Sequence, residues 1–247
     1  MSQVKGGLEG FGKASPLAGE RTVERTVARE LRRAITEGGL EPGVRLRYRD
    51  LAKHFDVSVT PVRIALRELS HDGLIEMRPH GAARVTPLSV EELEEVYAAR
   101  SGFEGWLAGW GAPSLSDDDF VTLDRRLADL EVAVAQRDVE RYLRCAWSHR
   151  AVCYGAARRD VLLDKTEILF QRSARYNWLT LRGDGRLAES LAGARDFHTA
   201  CRRRDGQRAK ESIRQALDRT LEHLTSRFID ALDSEPGKPD PAAAPRR

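Results

Sequence analysis

The sequence predicts a mainly α-helical chain, with an N-terminal winged helix-turn-helix followed by an all-helical bundle of about six helices. Within residues 21–87, two short helical segments are separated by a brief break and are followed by two short apolar runs around a turn. From residue 88 to residue 232, long amphipathic stretches alternate with short polar breaks, and strand-like alternation is nearly absent. The flanking segments 1–20 and 233–247 lack apolar periodicity, so we expect flexible tails there.

The helix-turn-helix is predicted from the segment that surrounds Pro61. A short helix up to Phe55 is followed by Asp56-Val-Ser58, residue types that prefer turns and helix caps. Pro61 suits the first turn of a second helix, because its missing N–H would have no helical partner there. That second helix has an apolar face at helical spacing (Val62, Leu66, Leu69) and a polar face (Thr60, Arg63, Arg67). This geometry is typical of a recognition helix that enters the major groove of double-stranded DNA N-terminus first.

Two further elements complete the predicted unit. Upstream, apolar residues recur every four positions and predict a first helix beneath the other two: Val23, Val27, Leu31, Ile35. Downstream, Leu74 to Val85 holds two short apolar runs around a Pro-His-Gly turn, which predicts a β-hairpin wing.

The ordered block in this region resembles the winged-helix domain of the GntR family of bacterial transcription regulators. The matching residues are Leu40, Pro42-Gly43, Arg45-Leu46, Leu51-Ala52 and Ser58-Val59-Thr60-Pro61-Val62-Arg63. The resemblance implies that operator DNA is contacted by Arg49, Ser58, Thr60, Arg63, His80 and Gly81. These roles suit the residue types, because an arginine can fork onto guanine O6 and N7 while hydroxyls hold phosphates beside a helix N-terminus. His80 would reach the minor groove.

Two positions depart from the family pattern. Val59 stands where the family usually has arginine, and Ile64 stands where it usually has an acidic residue. Valine cannot donate a hydrogen bond, but it can pack on a thymine methyl group. We therefore expect an operator that differs from the family's usual half-site at the base facing Val59.

Composition places limits on the class of protein. Residues 21–87 hold thirteen Lys/Arg against nine Asp/Glu, a surplus of +4, whereas the whole chain has a formal net charge of +3. The basic surplus therefore lies in the predicted DNA-binding part, which predicts salt-sensitive binding. Three cysteines, no membrane-spanning apolar run and no signal-peptide pattern predict a cytoplasmic protein without a disulfide framework or a membrane partner.

Six helices are predicted for the second part of the chain: 89–111, 116–136, 138–158, 160–181, 186–204 and 206–231. After a GntR-type winged helix, this layout resembles the FCD effector domain of the FadR subfamily. The resemblance rests on Ser89 to Gly105 at the domain's entry and on Ala194-Arg-Asp-Phe-His198 late in the chain. It implies a homodimer that binds a small-molecule effector, such as a carboxylate, through Arg100, His149 and His198. For Arg100, the alternative is a surface or interhelical salt bridge.

Many FCD domains bind a divalent metal through an aspartate, a histidine four residues later and two further histidines. Here those positions hold Cys145, His149, His198 and Ala216. Thiolate and imidazole are good zinc ligands, so one hypothesis is a three-ligand zinc site of Cys145, His149 and His198 with a position open for an effector. The alternative is a site without metal, in which the cysteines fill space in the core and the histidines are hydrogen-bonded.

Three functional hypotheses follow. The first is a sequence-specific transcription regulator, a repressor whose operator affinity is modulated by a small metabolite in the helical domain. The second is a constitutive dimeric repressor whose bundle serves dimerisation alone, an alternative that a pocket too small for a ligand would support. The third is a metal-dependent enzyme, which the sequence disfavours because it contains neither a Gly-x-Ser-x-Gly elbow nor a His-Glu-x-x-His pair.

Overall fold

A computed structural model of the chain describes residues 20–78, 82–181 and 185–233. In chain order the elements are α1 (Glu20–Thr36), β1 (Arg45–Arg47), α2 (Tyr48–Phe55), α3 (Val59–His71), β2 (Ile75–Arg78), β3 (Ala82–Val85), α4 (Val90–Gly111), α5 (Asp117–Ala135), α6 (Val139–Ala156), α7 (Asp160–Leu181), α8 (Arg186–Arg202) and α9 (Gly206–Asp233). The mainly helical fold class is confirmed, and each predicted bundle helix agrees within a few residues. Nearly all of the two predicted tails lies outside the described residues.

The N-terminal unit is built around the apolar faces of α1, α2 and α3. Val27, Leu31 and Ile35 of α1 are buried, and so are Val62 and Leu66 of α3, in one continuous core. The break between α2 and α3 is tight because the C-cap of α2, Asp56, takes a left-handed conformation with φ 53° and ψ 49°. Aspartate tolerates that conformation better than most residues do. This turn leads directly into α3, whose first residues, Val59 and Thr60, are exposed.

The wing belongs to a three-stranded antiparallel sheet with strand order β1-β3-β2. β2 pairs with β3 as the predicted hairpin, and Arg45 of β1 lies opposite Arg84 of β3. β1 was not predicted from the sequence, because Arg-Leu-Arg is too short to establish a period of two on its own. Its buried Leu46 joins the core beneath the wing, and its two arginines stay exposed.

The C-terminal unit is a helical bundle in which α4 packs against α9, α7 and α6. Side-chain caps mark the starts of several helices, α4, α5 and α6 among them. The Ser89 hydroxyl accepts from the Glu92 N–H at the start of α4, Ser116 and Asp119 form a reciprocal capping box at α5, and Asp138 accepts from the Arg141 N–H at α6. Each cap satisfies amide groups that have no partner within their helix. None of the helices within the described ranges is long and apolar enough to cross a membrane.

A charged cluster joins the two units near the end of the wing. Arg175 donates to the Thr86 carbonyl at 2.8 Å and to the Glu92 carboxylate at 2.6 Å, and Arg172 donates to Glu92 at 2.7 Å. The Arg172 guanidinium also lies against Gly73, where an added Cβ would come within 2.7 Å of it. Gly73 itself has φ +74°, which favours glycine. The turn that follows α3 thus contacts α7 through the Arg172 side chain.

Candidate DNA-reading surface and effector cavity

The recognition helix α3 presents a mixed polar and apolar face to solvent. Its N-cap, Ser58, makes no side-chain capping hydrogen bond. Thr60 and Arg63 follow as exposed residues, and Arg63 has no ion-pair partner within the described part of the chain. Hydroxyls and an arginine are therefore presented at the positive end of a helix, where an approaching phosphate is stabilised.

Val59 and Ile64 are both exposed on α3, at 40% and 42% exposure, and lie about 140° apart around the helix. An apolar side chain on a solvent-facing helix position has no packing partner in the free protein. In a major groove, such a side chain can contact a thymine methyl group. Both departures from the family pattern are thus exposed residues of α3.

More exposed basic residues lie in β1 and α2 than the sequence alone indicated. Arg49 of α2 is exposed as expected, and Arg45 and Arg47 of β1 are exposed beside it. The polar-apolar-polar order of Arg45-Leu46-Arg47 was the available signal for a half-buried strand. The predicted contacts His80 and Gly81 lie outside the described residues.

A polar cavity lies inside the bundle, between α4, α6, α7, α8 and α9. We call it the arginine cavity, because among the described residues its lining includes four arginines and one carboxylate: Arg100, Arg150, Arg186, Arg219 and Glu189. Its volume is about 50 Å³ for the centres of water-sized molecules. A site needs roughly 10–15 Å³ of such volume per water, so the cavity holds about four water-sized groups. Small anions match its charge and its size.

The cationic character of the arginine cavity is partly balanced by one buried carboxylate behind it. Glu104 is fully buried and accepts from Arg100 at 2.7 Å, from Arg150 at 3.1 Å and from the Tyr154 hydroxyl at 2.8 Å. Burial alone would raise the pKa of Glu104, but the charges of Arg100 and Arg150 outweigh it, so the pKa lies below its ordinary value. The single Glu104 carboxylate therefore neutralises only one of the two arginines that it contacts, so this cluster keeps a net charge of +1.

The uncharged polar residues that line the cavity are held in place by hydrogen bonds. The Tyr97 hydroxyl donates to Asn177 at 2.6 Å, and the Tyr142 hydroxyl lies 2.7 Å from the Ser190 hydroxyl. Burial raises the pKa of both tyrosines, so they stay protonated. Arg186 pairs with Glu189, and its buried Nε has no hydrogen-bond partner within the described residues. The Nε–H group of Arg186 is thus available to donate a hydrogen bond to a ligand oxygen.

Of the predicted effector residues, only Arg100 lines this cavity. His149 and His198 lie elsewhere, with His149 Nε2 3.4 Å from His198 Nδ1 and the rings stacked. His198 Nε2 is in turn 3.1 Å from an Asp124 carboxylate oxygen. Burial, together with the neighbouring His198 and Arg150, lowers the pKa of His149 to about 3, so its imidazole is neutral. The two histidines form a hydrogen-bonded pair that Asp124 orients.

The predicted zinc ligands do not form a metal site in this arrangement. Across the described ranges, no group of three or more His, Cys, Asp or Glu side chains could hold a metal ion. Cys145 is half-buried near Asp129 and Arg141, whereas Cys153 packs in the main core beside Cys201. The residues present therefore do not fit the three-ligand hypothesis.

These features define a class of protein: a DNA-binding transcription regulator with an appended helical domain that encloses a polar cavity. Residues 23–85 match the family model described as bacterial regulatory proteins, gntR family, and residues 95–219 match the FCD domain. The chain belongs to the GntR family, with an FCD domain as its C-terminal part. This domain pair is consistent with the FadR subfamily.

Similar proteins include two named transcriptional repressors. The HTH-type transcriptional repressor GlaR of Escherichia coli (strain K12) is 30% identical over 198 residues, which cover 76% of this chain and 90% of GlaR. The repressor RspR of the same organism is 22% identical over 202 residues, 82% of this chain and 89% of its own. Because such relatives are named transcription regulators and the domains belong to DNA-binding regulator families, the chain is a regulator and not an enzyme.

Solved structures show the same fold. The structure of Escherichia coli McbR/YncC has a TM-score of 0.76 and 21% identity over 83% of this chain and 98% of that one. A GntR-type regulator from Rhodococcus sp. RHA1 has a TM-score of 0.70 and 19% identity over 82% of this chain and 97% of that one.

Proposed function

We propose that the chain is a homodimeric repressor that binds a palindromic operator in the cytoplasm and responds to a short-chain carboxylate in the arginine cavity. The observation that supports the effector part is the convergence of four arginines on one cavity, with Arg100 buried and Arg219 exposed at the cavity's edge. The repressor part is supported by the similarity to GlaR and RspR, which are named repressors.

We infer that α3 reads the operator through Arg63, with Ser58 and Thr60 on the adjoining phosphates. Arg49 reaches the DNA backbone beside them, and His80 with Gly81 contacts the minor groove. The exposed Arg45 and Arg47 extend the basic surface toward the wing. Such contacts release counterions, so we expect binding to weaken steeply with salt.

Val59 is expected to select the base that it faces. Replacing Val59 with Arg should shift the sequence preferred at that position toward guanine, because arginine can donate two hydrogen bonds to O6 and N7. Selection of bound sequences from a random duplex pool measures this preference. The matched control is Val121→Arg, at an exposed valine of α5, which should leave the selected site unchanged. Recovery of the same site by both variants and the parent would contradict the role of Val59.

An exposed aromatic stripe on α4 supports the homodimer. Phe103, Trp106 and Trp110 stack along one side of the helix, and the two tryptophans are 45% and 47% exposed. Exposed aromatic side chains in a row mark protein interfaces. We expect the Trp106→Glu/Trp110→Glu double variant to be monomeric at about micromolar concentration in light scattering, where the parent is dimeric. A parent chain that is itself monomeric would contradict the dimer, and a dimeric double variant would place its interface elsewhere.

The size of the arginine cavity limits the effector to a short-chain acid. A molecule of about four to six non-hydrogen atoms can replace the waters that the cavity holds. Its carboxylate would accept hydrogen bonds from arginine, and a hydroxyl or keto oxygen would meet the remaining donors. Glycolate, lactate and pyruvate have this composition and serve as probes.

The test titrates each acid against the full chain bound to its operator. We expect at least one acid to change operator affinity by about fivefold or more. Arg219, which lines the cavity and is exposed at its edge, should matter for the acid: Arg219→Gln should weaken acid binding about tenfold. Arg214→Gln, on the same helix but outside the cavity lining, is the matched control.

The small volume of the arginine cavity also favours a second candidate, a constitutive dimeric repressor. In that case every acid should change operator affinity by less than about twofold, and calorimetry should detect no acid binding to the free chain. Specific operator binding would remain intact.

A further inference from the structure

A second and larger cleft lies between the two units. It is bounded by α1 on one side and by α6 and α7 on the other, and its volume is about 440 Å³. We call it the interdomain cleft. Pockets that bind small organic molecules occupy roughly 300–1,000 Å³ and are frequent at domain interfaces. The interdomain cleft therefore has the size of a ligand site, in contrast to the much smaller arginine cavity.

The bundle helices α6 and α7 contribute an apolar and aromatic patch to the interdomain cleft, beside polar residues. Its floor is formed by Leu143, Trp147, Phe170 and Ala174. The rings of Trp147 and Phe170 have centroids 5.0 Å apart and planes inclined at 41°. Two adjoining aromatic rings offer a flat ligand both apolar area and favourable ring-to-ring contact.

The opposite wall of the interdomain cleft is cationic. Three arginines of α1 line it, and a fourth, from α6, brings the lining to four arginines against two glutamates: Arg29, Arg32, Arg33, Arg144, Glu37 and Glu140. Arg33 and Arg144 are engaged with the two glutamates, and Arg32 pairs with Asp72 at 2.7 Å. Arg29 is 70% exposed and pairs loosely with its neighbour Glu30 at 3.4 Å. Its guanidinium is thus accessible to a ligand at the edge of the cleft.

We propose that the interdomain cleft binds an amphipathic organic anion, an aromatic carboxylate whose ring lies on Trp147 and Phe170 and whose carboxylate meets Arg29. This site is separate from the arginine cavity, from which it is divided by Leu143 and Phe170, residues that line both. The proposal does not depend on an effector in the arginine cavity. A ligand here contacts α1 of the DNA-binding unit and α6 and α7 of the bundle together, so it stabilises the docked arrangement of the two units.

The probe is 2-naphthoate, titrated into the full chain by calorimetry. We expect saturable binding, and little binding of the neutral analogue 2-naphthalenemethanol, because the alcohol lacks the charge that Arg29 recognises. Arg29→Gln should weaken naphthoate binding about fivefold or more. Ser148→Trp, which places a large side chain into the cleft from α6, should abolish it.

Two control variants locate the site. Arg125→Gln removes an exposed arginine of α5, and Arg219→Gln alters the arginine cavity; both should bind naphthoate as the parent does. The proposal would be overturned if Arg219→Gln lost naphthoate binding while Arg29→Gln and Ser148→Trp kept it. It would also be overturned if the parent chain showed no saturable naphthoate binding up to about 1 mM. Equal binding of the alcohol would overturn the anion requirement. Circular dichroism checks that Ser148→Trp is folded. Arg29→Gln changes an exposed side chain and should fold, so it tests the site even if Ser148→Trp does not fold.

Discussion

Replacing Arg63 with alanine should abolish recognition of the operator while leaving weak binding to DNA of any sequence. Arg63 is exposed on the first turns of α3 and carries a guanidinium that is not committed to an ion pair within the described residues. A bidentate arginine–guanine contact contributes about 1–3 kcal/mol of discrimination, and a dimer makes it twice. We expect operator affinity to fall by roughly a hundredfold or more, which corresponds to about 2.7 kcal/mol.

The measurement compares operator and scrambled duplexes at two salt concentrations. Arg63→Ala should bind both duplexes with similar affinity, and its salt dependence should remain steep because the phosphate contacts persist. Arg125→Ala on α5 is the control for loss of one exposed positive charge. If Arg63→Ala still selects the parent's palindrome from a random pool, α3 does not read the operator through this residue.

Much of this fold could be predicted from the sequence because its elements are marked locally. The apolar spacing of α3 and the hydroxyl or carboxylate caps Ser89, Ser116 and Asp138 are each contained in a few consecutive residues. Such signals depend on backbone chemistry alone. β1 was missed because its existence depends on pairing with β3, about forty residues later in the chain.

The candidate sites were predicted less completely, because they depend on which helices come together. Arg100 and Glu104 are four residues apart, a spacing that equally suits an exposed ion pair on one helix. Their burial follows from the packing of α6 and α7 over α4, which brings Arg150 and Ser173 to them. Similarly, the interdomain cleft exists only because α1 docks on the bundle, a contact with no local signal.

Replacing Glu104 with glutamine should strongly destabilise the bundle, because Glu104 is the counter-charge that Arg100 and Arg150 share. Glutamine keeps the shape of the side chain but leaves both arginines buried without a negative partner. Removing one partner of a buried ion pair costs about 3–5 kcal/mol. For a domain of this size, the midpoint of thermal unfolding should fall by roughly 6–20 °C in circular dichroism. Glu131→Gln, which breaks an exposed pair with Arg195, should cost less than about 1 kcal/mol.

The pH dependence of this loss identifies its cause. Because the pKa of Glu104 is lower in the folded chain than the ordinary value of 4.5, the unfolded chain binds the proton more readily. The stabilisation by Glu104 is therefore fully present above pH 4.5 and is lost as the pH falls through the folded pKa. The difference in unfolding free energy between the parent and Glu104→Gln should stay constant from pH 8 to about pH 5 and shrink below pH 4.5. A difference that instead disappeared at neutral pH would mean that Glu104 is protonated in the folded chain, and the two arginines would then lack their counter-charge.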